Sequence, residues 1–173
     1  MTQPDVLKQL LNAVAQGQIA PDAAFDKLKH LNYEQVEDFA RIDHHRSLRT
    51  GFPEVIWGPG KTIDQIAQIM EVMRRRTPVV MATRIEAAVY EQLKPRVSGL
   101  HYHPIARICY VQGKNESSQP YPTVPAYPGT IGILSAGTAD LPVAEEAAVT
   151  AELCGFAVNR LWDVGVAGIH RLL

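Results

Sequence analysis

Cysteine is scarce in this chain: only Cys109 and Cys154 are present, too few for a disulfide framework and without CxxC spacing for a metal. A surplus of charge of one sign is also missing. The formal net charge is −1, which lacks the concentrated positive field that nucleic acid or an anionic membrane surface requires. The densest basic cluster, Arg74, Arg75 and Arg76, closes a predicted helix, where cations suit the dipole. No apolar run approaches the length of a membrane span. Residues 1–5 lack the basic start and apolar run of a signal peptide. These absences predict a cytoplasmic protein with reduced thiols, partnered by neither nucleic acid nor membrane. Both cysteines sit in apolar surroundings and read as inert packing groups.

What is present is a globular composition: 173 residues, 46% hydrophobic and 20% charged. Residues 5–15 read as an amphipathic helix with Val6, Leu7, Leu10, Leu11 and Val14 on one face. A second helix opens near Pro21 and carries Ala24, Phe25, Leu28 and Leu31. This hairpin is too small to stand alone and needs a packing partner. Residues 33–50, rich in Glu, Asp, Arg and His, read as a surface stretch or a loop lining a site. Residues 53–57 form a short strand. Thr62 and Gln65 make a capping box for a helix that buries Ile63, Ile66, Ile69, Met70 and Met73. Residues 78–83 are a second strand, so that strand, helix and strand make a βαβ unit. A helix over 85–93 and a third strand within 100–111 follow.

Residues 113–129 are proline-rich and aperiodic, and read as a linker between a domain over 1–112 and another over 130–173. The second begins with a buried strand at 130–135, a loop, an alanine-rich helix opened by Pro142, a strand at 156–162, and the start of another helix at 169–173. The fold class is therefore α/β: a helical hairpin and a small βαβ-containing domain, then the first βαβ unit of a parallel domain. A single such unit is too short for an α/β domain, which needs about 100 residues. Truncation at the C-terminus is expected.

Two strand-end loops carry the candidate chemistry. In the first, residues 135–140, small residues admit a ligand to the backbone, and the following helix N-terminus favours an anion. Ser135 and Thr138 add hydroxyls and Gly137 adds room, while Asp140 is either a ligand group or a helix cap. In the second, Asp163 ends its strand, Gly165 and Gly168 keep the path tight or permit positive φ, and His170 and Arg171 open a helix. His170 reads equally as a surface histidine. Parallel neighbouring strands bring such loops to one edge, so Ser135, Asp140, Asp163, His170 and Arg171 are expected to converge. Metal ligation is not expected: His44 and His45 diverge, and His101 and His103 share a strand face without a third ligand. The segment 58–62 looks like a phosphate loop, yet Val55 stands where that pattern needs glycine, so it reads as a helix cap.

Several stretches together resemble the LarB family: Ala40-Arg41-Ile42-Asp43-His44-His45-Arg46, Gly51-Phe52-Pro53-Glu54-Val55-Ile56, Gly60-Lys61-Thr62, Ala82-Thr83-Arg84, the run from Ser135 to Ala147 and the run from Asp163 to Leu173. The second domain of that family is similar to aminoimidazole ribonucleotide carboxylase (PurE), a parallel three-layer α/β fold. The resemblance implies an enzyme of nickel-pincer cofactor assembly that carboxylates the pyridinium ring of nicotinic acid adenine dinucleotide and hydrolyses the phosphoanhydride to release AMP. A cationic ring is a poor nucleophile. In the family a thiolate adds to it, the resulting dihydropyridine attacks carbon dioxide, and loss of a proton expels the thiolate.

By resemblance, Ser135, Asp140, His170 and Arg171 line the site; with the loop reading above, Asp140 and His170 are the expected catalytic residues, and Ser135, Gly137, Thr138, Asp163, Gly165 and Arg171 the expected substrate-binding ones. No cofactor is tightly bound and carbon dioxide or bicarbonate is the co-substrate, with Mg2+ left open as an accessory ion. A homo-oligomer is implied, with the octamer common in the PurE fold as the full-length form. The family's nucleophilic cysteine lies beyond residue 173, and neither Cys109 nor Cys154 stands in its motif, so residues 1–173 alone are expected not to carboxylate. Two other readings remain: an aminoimidazole ribonucleotide carboxylase, disfavoured by the long N-terminal region, and a non-catalytic nucleotide-binding or assembly module.

Overall fold

The computed structural model describes residues 3–28, 34–43, 46, 50, 52–75, 77–112 and 127–172. It is mixed α/β and divides into two compact units, Met1–Glu54 and Val55–Leu173. Among the described residues no helix is long and apolar enough to cross a membrane.

In the first unit α1 (Gln3–Ala15) and α2 (Pro21–Leu28) form the expected hairpin, turning through Gly17 at φ 69°. Leu10 and Ala24 are buried, whereas Leu11 and Phe25, assigned to the apolar faces, are exposed. The described part of the polar stretch beyond contains two short strands. Glu34–Val36 (β1) and Ala40–Ile42 (β2) pair antiparallel, with Val36 and Ile42 buried. Alternation explains how: every second side chain turns inward, so a strand can be mostly polar and still anchor. The backbone N–H of Asp43 donates to the Glu54 carboxylate at 2.7 Å. His44 and His45 lie outside the described residues.

The second unit opens with the expected strand, helix and strand: β3 (Ile56–Trp57), α3 (Ile63–Met73) and β4 (Val79–Thr83), the strands parallel neighbours. Thr62 accepts the Gln65 N–H and the Gln65 side chain returns to the Thr62 N–H, completing the cap. Of the five expected core residues of α3, Ile66, Ile69, Met70 and Met73 are buried and Ile63 is half-buried. Helix α4 (Ala87–Leu93) follows. The single strand expected within 100–111 is two: β5 (His101–His103) and β6 (Ile108–Gln112) form an antiparallel hairpin. The sheet order is β3-β4-β6-β5, with β6 antiparallel to β4.

Residues 113–126 of the expected linker lie outside the described residues. Then β7 (Thr130–Leu134), a 3-10 turn (Thr138–Asp140), α5 (Leu141–Leu153) and β8 (Ala157–Leu161) make a parallel two-stranded βαβ unit. A second 3-10 segment, Val166–Leu172, kinks at Gly168; it begins within the expected glycine-bearing loop and takes in the helix expected from Ile169. Strand β7 was expected to be buried, yet Leu134 and its partner Leu161 are 53% and 41% exposed. Among the described residues, one face of this parallel pair is covered by α5 and the other is open.

Helix α5 touches β4 as well as β7 and β8. Its Val149 and Leu153 join Met81, Ala106, Ile108 and Tyr110 in one buried cluster. A helix between two sheets cannot have one apolar stripe and a polar back. Its alanines, such as Ala144 and Ala148, let both sheets approach.

Candidate functional site

The two loops singled out in the sequence meet. Strands β7 and β8 are parallel and in register from Thr130↔Ala157 to Leu134↔Leu161, so their carboxyl-end loops leave at the same edge. The Ser135 N–H donates to the Leu161 carbonyl at 3.0 Å, Val164 N–H to Ser135 carbonyl at 3.0 Å, and Gly165 N–H to Ala136 carbonyl at 3.2 Å. A Cβ on Gly165 would sit 3.0 Å from the Ala136 carbonyl oxygen, so glycine is what lets the loops close. Asp163 takes the left-handed conformation at φ 60°.

Within the rim, each side chain has its own surroundings. Ser135 is 6% exposed, and its hydroxyl has no hydrogen-bond partner among the described residues. Leaving a buried hydroxyl unsatisfied costs about 1–3 kcal/mol, a cost that a ligand oxygen relieves. Thr138 is exposed on the turn and Gly137 half-buried. Asp140 is turned back: its carboxylate accepts the Gly137 N–H at 3.1 Å. This contact lies within the 3-10 turn, Asp140 makes no side-chain cap hydrogen bond to α5, and the contact occupies one of the donors an anion would use.

Arg171 is ion-paired with Asp163 and also donates to the Asp163 carbonyl at 2.9 Å. It is therefore partly neutralised. His170 is exposed, and no hydrogen bond or ion pair ties it to Ser135 or Asp140 among the described residues. The structure thus brings Ser135, Ala136, Val164 and Gly165 into contact, and joins Asp163 to Arg171 and Gly137 to Asp140. It places His170 on the same edge without engaging it.

Sequence reasoning missed a charged network beside this loop. Arg160 on β8 binds Glu152 through both terminal nitrogens, at 2.5 and 2.8 Å, and its Nε reaches Glu145 at 3.4 Å. His103 Nε2 lies 3.8 Å from the same buried Glu145, and His103 Nδ1 accepts the Ala106 N–H at 3.2 Å. His101, its expected companion, stacks on Tyr110 instead, with centroids 5.1 Å apart. Only the i,i+7 spacing of Glu145 and Glu152 on one helix face hinted at this. Among the described residues no group of three or more His, Cys, Asp or Glu is placed to hold a metal ion. Both cysteines are desolvated: burial pushes the Cys109 thiol up to about 12 and raises that of Cys154 as well. Neither is poised as a nucleophile.

A second feature lies where β3 and β4 end. Trp57 is half exposed and the Arg84 guanidinium carbon stands 5.0 Å from its ring centroid. Arg84 Nε also pairs with Glu146 of α5 at 3.4 Å.

Comparison with known proteins follows this geometry. Residues 33–114 match the LarB/PurE-like N-terminal domain, a stretch that contains Trp57, Arg84 and His103. An uncharacterized protein of Methanocaldococcus jannaschii is 36% identical over 171 residues, covering 96% of this chain and 64% of that protein. The chain thus spans somewhat under two thirds of that relative's length. Residues 33–114 thus belong to the LarB/PurE-like N-terminal domain family.

Proposed function

We propose that this chain is the greater part of a carboxylase of the PurE superfamily whose substrate is a pyridine dinucleotide, with nicotinic acid adenine dinucleotide as the specific substrate. Family membership supports the reaction class. One geometric observation carries the site: two strand-end loops close on each other around a buried, unpartnered Ser135 hydroxyl. The unit β7-α5-β8 is read as the opening of the PurE-like parallel domain.

In this reading Ser135 donates to a carboxylate or phosphate oxygen and Thr138 supplies a second hydroxyl at the mouth. Gly137 and Gly165 leave the backbone open to approach. Once a thiolate has added to the ring and the resulting dihydropyridine has attacked carbon dioxide, Asp140, held by the Gly137 N–H, accepts the ring proton as the thiolate is expelled, and His170 relays that proton to solvent. The Asp163–Arg171 pair borders the anion, and Arg171 turns from Asp163 towards substrate when one binds. Carbon dioxide or bicarbonate is co-substrate, and water splits the phosphoanhydride to release AMP. No step in this reading runs through Mg2+. A homo-oligomer is part of the proposal, as is a role in nickel-pincer cofactor assembly.

The test is an assay of the whole protein with nicotinic acid adenine dinucleotide and bicarbonate. The expected products are AMP and a dicarboxylated pyridine mononucleotide in equal amounts. Neither product forming would overturn the reading.

A further inference from the structure

We infer that Trp57 and Arg84 form a second binding site, a stacking platform for the adenylate half of the dinucleotide, which extends the proposed function and rests on it. The argument begins with topology. Strands β3 and β4 are parallel neighbours, with Trp57 opposite Thr83, so the turns after both strands emerge at one edge. Ligands of parallel sheets bind at that edge. The two turns are locked together: the Gly58 N–H donates to the Thr83 carbonyl at 3.0 Å. A Cβ at Gly58 would fall 2.4 Å from Ile85 Cδ1 and 2.8 Å from the Thr83 carbonyl oxygen, so this approach is open to glycine alone.

The close approach carries Arg84 over the Trp57 ring, and it requires Arg84 to adopt φ 56°. A left-handed arginine costs about 1 kcal/mol or more, and a glycine would relieve it. What arginine provides in return is a cation on an aromatic face. Trp57 nevertheless remains 51% exposed, a large apolar ring at a strand end that Arg84 covers only in part. Arg84 spends its Nε on Glu146, and its two terminal nitrogens make no hydrogen bond among the described residues. A planar ring for stacking beside a guanidinium with free donors fits a purine nucleotide: base on Trp57, phosphate on Arg84.

Placement relative to the first site gives the ligand its identity. Glu146, which anchors Arg84, stands on α5 eight residues after Thr138. Counted at the rise of a helix that is roughly 12 Å along the axis, a separation that an extended dinucleotide spans through its two riboses and the pyrophosphate together. One half would then meet Ser135 and Thr138, and the other Trp57 and Arg84.

The test uses intrinsic fluorescence of the whole protein with Trp162→Phe, which leaves Trp57 as the only tryptophan of residues 1–173. AMP and nicotinic acid mononucleotide are titrated separately. AMP is expected to quench Trp57. In calorimetry Trp57→Leu and Arg84→Gln should each weaken AMP about tenfold and leave the mononucleotide unchanged, while Trp57→Phe keeps most of the affinity. Unchanged AMP affinity in Trp57→Leu, or no AMP binding at all, would overturn the platform. AMP binding that depends on Trp57 in a protein without carboxylation would retain the platform and remove the reaction. Carboxylation with an unaltered dinucleotide KM in both variants would do the reverse.

Discussion

Ser135 carries opposite demands from stability and function. Its buried hydroxyl lacks a partner among the described residues, so Ser135→Ala should stabilise the chain by about 1 kcal/mol, seen as a higher urea midpoint, while product formation falls at least tenfold. A variant that is both less stable and fully active would contradict this assignment. Gly165 raises the other residue-level question. From sequence it read as a tight path or a positive φ. The structure selects the first, because Gly165 is not in the left-handed region, whereas Asp163 is. Gly165→Ala should therefore cost about 1–3 kcal/mol by pressing on Ala136, measurable by chemical denaturation.

Cys109 sets an alkaline limit. Its folded pKa is raised from 9.0 to about 12 by burial. The unfolded chain loses this proton first, so the contribution to stability is intact below pH 9 and declines as pH rises towards 12. Urea midpoints at pH 8 and 10.5 should fall in the native protein and fall less in Cys109→Ala.

At the scale of elements, helices and caps followed from spacing, and two hairpins did not. The reversals at β1-β2 and β5-β6 lack the Asn-Gly or Asp-Gly that marks a hairpin. Their left-handed positions are filled by Glu37 at φ 45° and Arg107 at φ 52°, residue types that rarely adopt it. No local rule identifies such turns. Tertiary contacts hold the second: the Arg107 carbonyl accepts the Ile85 N–H at 2.8 Å, and Arg107 pairs with Glu86 at 3.0 Å. Helix α5 is another case, because an alanine-rich run does not announce that it faces two sheets. Ala148 is fully buried on it, so Ala148→Leu should destabilise by about 1–3 kcal/mol through overpacking, checked by thermal melting.

For the whole molecule, the cluster of Met81, Ile108, Tyr110, Val149 and Leu153 joins strands before residue 113 to a helix after residue 127. These parts of the second unit should therefore open together. Met81→Ala, which removes a fully buried side chain, should cost about 2–5 kcal/mol. Hydrogen exchange should then accelerate in β8 as well as in β6. Faster exchange confined to β6 would show that the shared core does not couple them.

The amino-acid sequence alone determined what depends on near neighbours: the α/β class, the Thr62 cap, two βαβ units, the glycine-bearing loops at strand ends and the motifs that mark the family. Tertiary structure alone decided which distant charges meet. Arg160 finds Glu152 and Glu145, Arg84 finds Trp57 and Glu146, and Asp163 claims Arg171. Periodicity reports which face of an element is apolar; only the packing of those elements brings such side chains within reach of one another.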